Sequence, residues 1–146
     1  MDKVRFVLVG AGRAGMVHGR NLTSYIQEAE LVAIVDIDEG RARQSAEEVG
    51  VKKYSTSLDD VLKTESIDAV CIGSLTFTHR EIVEKAAEAG KHVFSEKPLA
   101  QSPEEAKKIK EVVEKTGIKF QIGFMRRYDP ATVSYTHLTL PTIYSV

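Results

Sequence analysis

The chain carries residue types that can bind a nucleotide: three glycines near its start and one aspartate further on. Gly10, Gly12 and Gly15 form the pattern G-x-G-x-x-G directly after the apolar run V-R-F-V-L-V. Asp36 ends a second apolar run about 20 residues after the last glycine, which is the spacing of a dinucleotide site. Glycines let a backbone approach a pyrophosphate closely, and the helix that follows them offers free N–H groups to negative charge. Together they predict a dinucleotide-binding unit.

A turn that contains a lysine follows a later apolar run. Glu96, Lys97 and Pro98 come directly after K-H-V-F-S at positions 91–95. Because ligands of open α/β sheets bind outside the carboxyl ends of the strands, we expect Lys97 on the edge that carries the glycine turn. Proline stiffens this turn and fixes its direction. The residues alone leave one alternative open, which is a solvated loop lysine paired with Glu96.

The composition is that of one ordinary globular domain. The 146 residues are 42% hydrophobic and 28% charged, with a formal net charge of −1. This balance excludes a broad cationic surface for nucleic acid or anionic lipid, and no apolar run is long enough for a membrane span. The single Cys71 lies in the apolar run D-A-V-C-I-G and is predicted to be a small buried residue. One cysteine forms no intrachain disulfide, which fits a reducing cytoplasm, and no residues have metal-ligand spacing.

The elements that must position these residues alternate between short apolar strands and helices. The pattern predicts strands over 3–9, 31–36, 53–55, 68–73, 91–95 and 118–124. It predicts helices over 13–29, 38–49, 58–64, 78–89 and 102–116. The strand runs lack alternation of apolar and polar residues, as strands covered on both faces should, and the intervening helices imply right-handed parallel crossovers. The predicted fold is a doubly wound parallel α/β sheet of the Rossmann type.

Several helix starts carry capping residues. Thr78 with Glu81, and Ser102 with Glu105, have the spacing of capping boxes. Asp38 is better placed as an N-cap than as a ligand for a ribose, and Ser57 is predicted to cap the short helix after it.

Asp36 also predicts a cofactor preference. Its carboxylate oxygens can accept hydrogen bonds from ribose hydroxyls, whereas its charge repels a 2′-phosphate. No Arg or Lys occupies position 37 or 38 to neutralise that charge. We therefore predict a preference for NAD over NADP.

Three stretches together resemble the Gfo/Idh/MocA oxidoreductase family. They are the glycine pattern, G-K-H-V-F-S-E-K-P-L-A at 90–100 and Q-I-G-F-M-R-R-Y-D-P at 121–130, of which the last is most similar to the inositol 2-dehydrogenase branch. The resemblance covers residues 1 to about 131. It implies an N-terminal Rossmann domain, a C-terminal α/β substrate domain, and hydride transfer between NAD and a polyol or sugar such as myo-inositol. It also implies a homo-oligomer.

The resemblance implies roles for individual residues. Lys97 matches the catalytic lysine of the family's Glu-Lys-Pro motif, and a lysine there can accept or relay a hydroxyl proton. Glu96 is expected to be structural rather than catalytic, and His79 is either a cofactor contact or an ordinary surface histidine. The residues expected to contact NAD are Gly10, Gly12, Arg13, Ala14, Gly15, Asp36, Ser74, Thr76, His79, Glu96 and Lys97. His18 and His92 are expected to be structural.

The sequence divides into three parts. Residues 1–124 are expected to form the NAD-binding Rossmann domain, and 125–131 to begin a truncated substrate domain. Within it Arg126 and Arg127 would either bind a polyol or pair with that domain. From about 132 to 146 the chain carries no charge, and 133–142 resembles the in-frame translation of a transposase adapter, so we expect a non-native tail. The alternative is an extended segment that opens a second domain.

Two other functions are compatible with a Rossmann unit. One is a non-catalytic NAD-binding regulatory or sensor protein of the same fold, since a fold does not fix a function. The other is a methyltransferase-type protein, against which the third glycine and the Glu-Lys-Pro turn both argue. Since the resemblance places the family's catalytic aspartate and histidine in the C-terminal domain, this chain by itself is expected to be inactive.

Overall fold

A six-stranded sheet in which every neighbouring pair is parallel forms the centre of the computed structural model, which describes residues 2–125. The strands are β1 (Val4–Val9), β2 (Ala29–Val35), β3 (Lys53–Ser55), β4 (Ala69–Ile72), β5 (His92–Ser95) and β6 (Phe120–Ile122). Their order across the sheet is β3-β2-β1-β4-β5-β6. The order reverses between β1 and β4, which confirms the predicted doubly wound Rossmann topology.

Five helices cover the two faces of this sheet. They are α1 (Arg13–Ser24), α2 (Glu39–Glu48), α3 (Leu58–Thr64), α4 (His79–Glu88) and α5 (Pro103–Thr116). Buried residues of α1 and α2 pack on one face in a cluster with Leu8, Ile34 and Cys71. Buried residues of α3, α4 and α5 pack on the other face with alternate strand residues such as Val7 and Val70. Both faces of the strands are covered, which explains their continuous apolar runs.

The first helix is shorter than its apolar spacing predicts. It ends at Ser24, where the sequence pattern predicts a helix to 29. Ala29 instead begins β2 and pairs with Val4, so the residue that the helical spacing assigned to the end of the helix belongs to the sheet. Tyr25 and Ile26, which the pattern placed on the buried helix face, are 80% and 45% exposed.

Three predicted helix caps are confirmed. The side-chain oxygens of Asp38, Ser57 and Ser102 each accept from the backbone N–H three residues later. In the last of these, the Glu105 carboxylate accepts from the N–H of Gln101 rather than from that of Ser102. Side chains therefore satisfy first-turn donors at α2, α3 and α5.

The capping box predicted at Thr78 and Glu81 is wrong. A 3-10 turn over Thr76–Thr78 precedes α4, and the backbone of Thr78 is already helical, so its side chain makes no cap hydrogen bond. The Thr78 hydroxyl instead donates to the Leu75 carbonyl at 2.7 Å. The loop before α4 is thereby folded back on itself.

Met1 and residues 126–146 lie outside the described part of the chain. The expectations for Arg126 and Arg127, for 125–131 beyond Met125, and for the tail at 132–146 fall there. Within residues 2–125, no helix is both long enough and apolar enough to cross a membrane.

Candidate functional site

The residues that follow the strands lie side by side at the carboxyl edge of the sheet. Each donates its N–H to the carbonyl at the end of the neighbouring strand at 2.8 to 2.9 Å: Gly10 to Val35, Gly73 to Val9, Glu96 to Ile72 and Gly123 to Ser95. β5 lies two strands from β1, or about 10 Å across the sheet. The Lys97 turn and the glycine turn therefore share one edge, as the sequence predicted.

The glycine turn is packed directly against the end of β4. Gly10 has a φ of +93°, and a Cβ atom there would lie 2.5 Å from the backbone of Ser74. A Cβ atom on Gly15 would overlap the Gly10 carbonyl oxygen, and one on Gly73 would lie 2.5 Å from the Gly15 Cα. These close approaches require glycine and fix the start of α1 over the strand ends.

Gly12 has open space where the other two glycines are crowded. A Cβ atom at this position would meet no atom within 4 Å among the described residues. Gly12 is the N-cap of α1, and no side chain of residues 2–125 caps that helix. The N–H groups of its first turn, which includes Arg13 and Ala14, are therefore available to a phosphate. Open space above a helix start fits the pyrophosphate of NAD.

Arginines surround the crevice beside this helix start. The crevice has a volume of about 420 Å³, and its lining includes Gly12, Arg13, Arg20 and Arg41. Arg20 forms an ion pair with Glu48 at 2.7 Å. Glu48 also lines the crevice, and Arg41 lies near Asp36 and Asp38, so carboxylates offset part of this positive charge.

Asp36 holds the glycine turn as well as offering a carboxylate. It is buried, and its Oδ2 accepts from the N–H of Ala11 at 2.8 Å while its Oδ1 accepts from the N–H of Asp38 at 3.0 Å. Each carboxylate oxygen can accept further hydrogen bonds, so ribose hydroxyls remain possible partners. Arg41 Nη1 lies 3.6 Å from Asp36 Oδ1. The predicted preference for NAD considers only positions 37 and 38 as sources of a neutralising charge. Arg41 lies further along the chain, in the first turn of α2.

The loop after β4 is tied down from below by a buried histidine. His79 is 1% exposed, so the alternative of an ordinary surface histidine is wrong. Its Nε2 lies 3.1 Å from the Ser74 carbonyl oxygen, and its Nδ1 lies 3.4 Å from Ser95 Oγ. Because a carbonyl only accepts, Nε2 carries the proton. Both ring nitrogens thus contact protein, while Ser74 and Thr76 are only half-buried in the loop above.

Lys97 is exposed at the edge of the sheet, and the Lys97–Pro98 peptide bond is cis. The Glu96 carboxylate does not take the lysine amine as its partner within the described chain. Its Oε1 lies 2.8 Å from His18 Nε2, and its Oε2 accepts from the backbone N–H of Lys97 at 3.1 Å. The alternative of a lysine paired with Glu96 is therefore not what the structure shows.

Three residues near this turn were not found as site residues from the sequence. His18, which is expected from the sequence to be structural, reaches the Glu96 carboxylate from α1. Phe94 contacts the His18 ring, and Gly123 packs against both Phe94 and Glu96. The available signal was the position of His18 three residues after the last glycine of the pattern. That spacing puts the two residues on one side of the helix.

Cys71 lies beneath the site in β4 and is 3% exposed, which confirms the predicted small buried residue. Burial raises the pKa of its thiol to about 12, and the nearby charge of Glu96 acts in the same direction. Such a thiol has no nucleophilic role near neutral pH.

The glycine turn, the buried aspartate and the uncapped helix start define an NAD-binding Rossmann domain of the oxidoreductase class. A comparison with protein families supports this class. The model of the Gfo/Idh/MocA family, described as an oxidoreductase family with an NAD-binding Rossmann fold, matches residues 4–124. The chain belongs to this family.

Several of the proteins that this chain is similar to are inositol dehydrogenases by name. The chain is 46% identical over 129 residues to scyllo-inositol 2-dehydrogenase (NAD(+)) of Bacillus subtilis (strain 168), which covers 88% of this chain and 38% of the relative. It is 43% identical over 127 residues to inositol 2-dehydrogenase 3 of Saccharopolyspora erythraea, covering 86% and 37%. The crystal structure of scyllo-inositol dehydrogenase from Lactobacillus casei with bound NAD(H) and scyllo-inositol has a TM-score of 0.87 at 34% identity, covering 97% of this chain and 42% of that one. The chain thus spans less than half the length of these relatives.

Proposed function

We propose that this domain supplies the cofactor site and the catalytic lysine of an NAD-dependent dehydrogenase that acts on a CH–OH group of inositol or a related polyol. The observation that carries the proposal is the shared edge of the sheet. The glycine turn, Asp36 and Lys97 follow β1, β2 and β5, and the parallel pairings of β2 with β1, of β1 with β4 and of β4 with β5 bring the carboxyl ends of these strands to one edge. The names of the relatives support the substrate class.

The chain binds the cofactor with groups of three loops. The open space at Gly12 and the free N–H groups of the first turn, at Arg13, Ala14 and Gly15, hold the pyrophosphate. The Asp36 carboxylate accepts from the adenosine ribose, and Ser74 and Thr76 contact the cofactor from the loop after β4. His79 supports that loop from beneath rather than touching the cofactor. NAD bound in this way supplies the hydride acceptor.

Lys97 is the group of this chain that handles the proton. Oxidation of a secondary alcohol requires loss of the hydroxyl proton, and the lysine amine accepts or relays it or hydrogen-bonds the developing carbonyl oxygen. Because the Glu96 carboxylate is engaged by His18 and by the Lys97 backbone, it does not bind the amine. The amine remains available to the substrate.

The whole enzyme, in this proposal, is longer than residues 2–125. The family resemblance assigns an aspartate and a histidine to a following α/β domain, so the chain holds one of three catalytic groups. We infer that the 146-residue chain binds NAD without turning over a polyol. We also propose that the parent enzyme is a homo-oligomer of the cytoplasm.

The test compares Lys97→Met with Lys108→Met, an exposed lysine on α5, in a full-length enzyme that carries this domain. Lys97→Met should abolish oxidation of inositol while the dissociation constant for NAD stays within about twofold, because the lysine serves the chemical step. Lys108→Met should behave as the wild type. Retained turnover in Lys97→Met would refute the role. NAD binding with no polyol oxidation by the wild type would favour the sensor.

A further inference from the structure

A hydrogen bond connects the helix that begins at the glycine turn to the turn that carries Lys97. His18, in the middle of α1, places Nε2 at 2.8 Å from Glu96 Oε1. The two side chains are 21% and 14% exposed, so the contact is largely shielded from water. It joins two elements that are far apart in sequence and that the proposed function uses for different tasks. In that proposal, α1 binds the cofactor and the Lys97 turn accepts or relays the hydroxyl proton of the substrate.

The surroundings of this hydrogen bond are shaped to fit it. The His18 and Phe94 rings meet in an edge-to-face arrangement, with 5.1 Å between ring centroids and an interplanar angle of 66°. A Cβ atom on Gly123 would lie 3.0 Å from Phe94 Cζ and 3.3 Å from Glu96 Oε1. Glycine at position 123, directly after β6, therefore leaves room for the Phe94 ring and the Glu96 carboxylate. A loose surface contact would not need such space.

Every polar group of Glu96 is engaged by the protein. Its N–H donates to the Ile72 carbonyl at 2.9 Å, and its carbonyl accepts from Ser95 Oγ at 3.1 Å. Its second carboxylate oxygen accepts from the N–H of Lys97 at 3.1 Å. A carboxylate held at both oxygens has a single orientation. Freed at one oxygen, it could rotate toward the amine of the next residue and form an ion pair with it.

We propose that His18 is a positioning residue for Lys97. It holds the Glu96 carboxylate, which orients the Lys97 backbone and is kept away from the Lys97 amine. This inference rests on the proposed function, because it gives Lys97 a task that depends on a free and oriented amine. It also makes α1 a physical connection between the cofactor site and the lysine turn.

Three histidine variants of the same full-length enzyme test this role. His18→Phe keeps a ring against Phe94 and removes the hydrogen bond, whereas His18→Gln keeps a donor for Glu96 and removes the ring. His92→Phe is the matched control, because His92 lies at the other end of β5 and accepts from the Lys119 N–H at an exposed site. The kcat for inositol, the KM for inositol and the dissociation constant for NAD are measured for each.

We expect His18→Phe to lower kcat about tenfold, the effect of losing one charge-assisted hydrogen bond, with NAD affinity within about twofold of the wild type. His18→Gln should recover most of the loss, and His92→Phe should not change kcat. Wild-type kcat in His18→Phe, or equal losses in the Phe and Gln variants, would overturn the inference. Lys97→Met, assayed alongside, separates the two proposals. If it stays active the proposed function fails, whereas an inactive Lys97→Met with a normal His18→Phe removes only the inference about His18.

Discussion

Arg41 Nη1 lies 3.6 Å from Asp36 Oδ1, which places a cation beside the carboxylate that is expected to meet the adenosine ribose. The arginine side chain is 53% exposed, and its Nη2 also lies 3.8 Å from Asp38 Oδ2. Asp36 is buried and is fixed by backbone donors on both oxygens. The carboxylate of Asp36 is therefore fixed in place, whereas the exposed side chain of Arg41 can rotate away from it.

This arrangement predicts that NAD binds more tightly than NADP, by on the order of tenfold or more, because a 2′-phosphate would meet the fixed charge of Asp36. Arg41→Gln should widen the preference, since it removes a cation that can turn toward a phosphate. Asp36→Asn should narrow it. Calorimetric titration of each variant with NAD and NADP measures the ratio. Equal or tighter binding of NADP to the wild type would show the prediction to be wrong.

The glycines of the turn should separate stability from cofactor binding. Gly10→Ala places a Cβ atom 2.5 Å from the Ser74 backbone at a φ of +93°, so we expect a loss of roughly 2 to 4 kcal/mol in the free energy of unfolding. Gly12→Ala meets no neighbouring atom in the described chain and should cost less than about 1 kcal/mol. It should nevertheless weaken NAD binding more than about tenfold by filling the space of the pyrophosphate.

Urea unfolding and NAD titration of the two glycine variants provide the measurements. We expect Gly10→Ala to lose stability, and Gly12→Ala to lose affinity for NAD while its stability stays nearly normal. If Gly12→Ala binds NAD as the wild type does, the pyrophosphate does not lie where the open space suggests.

The strands and helices could be predicted because each depends on local signals, and their shared edge follows from the general rule for open parallel α/β sheets. Apolar runs, glycines after helices and capping side chains such as Asp38 and Ser102 act within a few residues of themselves. The contacts of His18 and Arg41 could not be predicted in this way. They depend on which side of a helix meets which strand end, and that is set only when the sheet is assembled.

Two errors of sequence interpretation have the same origin. Thr78 has the spacing of a cap, but the chain folds into a 3-10 turn before it and its hydroxyl finds the Leu75 carbonyl instead. Tyr25 and Ile26 have helical spacing, but the pairing of Ala29 with Val4 ends the helix before them. In both places a competing backbone hydrogen-bonding pattern outweighs the side-chain pattern.

Removing the buried histidine should cost stability. His79→Leu leaves the Ser95 hydroxyl and the Ser74 carbonyl without their histidine partner, and we expect a loss of about 2 kcal/mol in the free energy of unfolding. His92→Leu is the control, because water can replace its exposed contact and the change should stay within about 0.5 kcal/mol. Urea midpoints measure both. Equal midpoints would mean that the buried contacts of His79 contribute nothing to stability.

The thiol of Cys71 should report on unfolding rather than on chemistry. Because burial raises its pKa to about 12 from an ordinary 9.0, the folded thiol stays protonated where an exposed one ionises. The unfolded thiol ionises above pH 9, whereas the folded thiol does so only near pH 12. The free energy of unfolding is therefore unaffected by Cys71 below pH 9 and falls as the pH rises from 9 toward 12. We expect iodoacetamide to label the native chain at pH 8 more than about a hundredfold more slowly than the chain in urea, by mass spectrometry. Labelling at equal rates would place Cys71 at the surface, contrary to its position in β4.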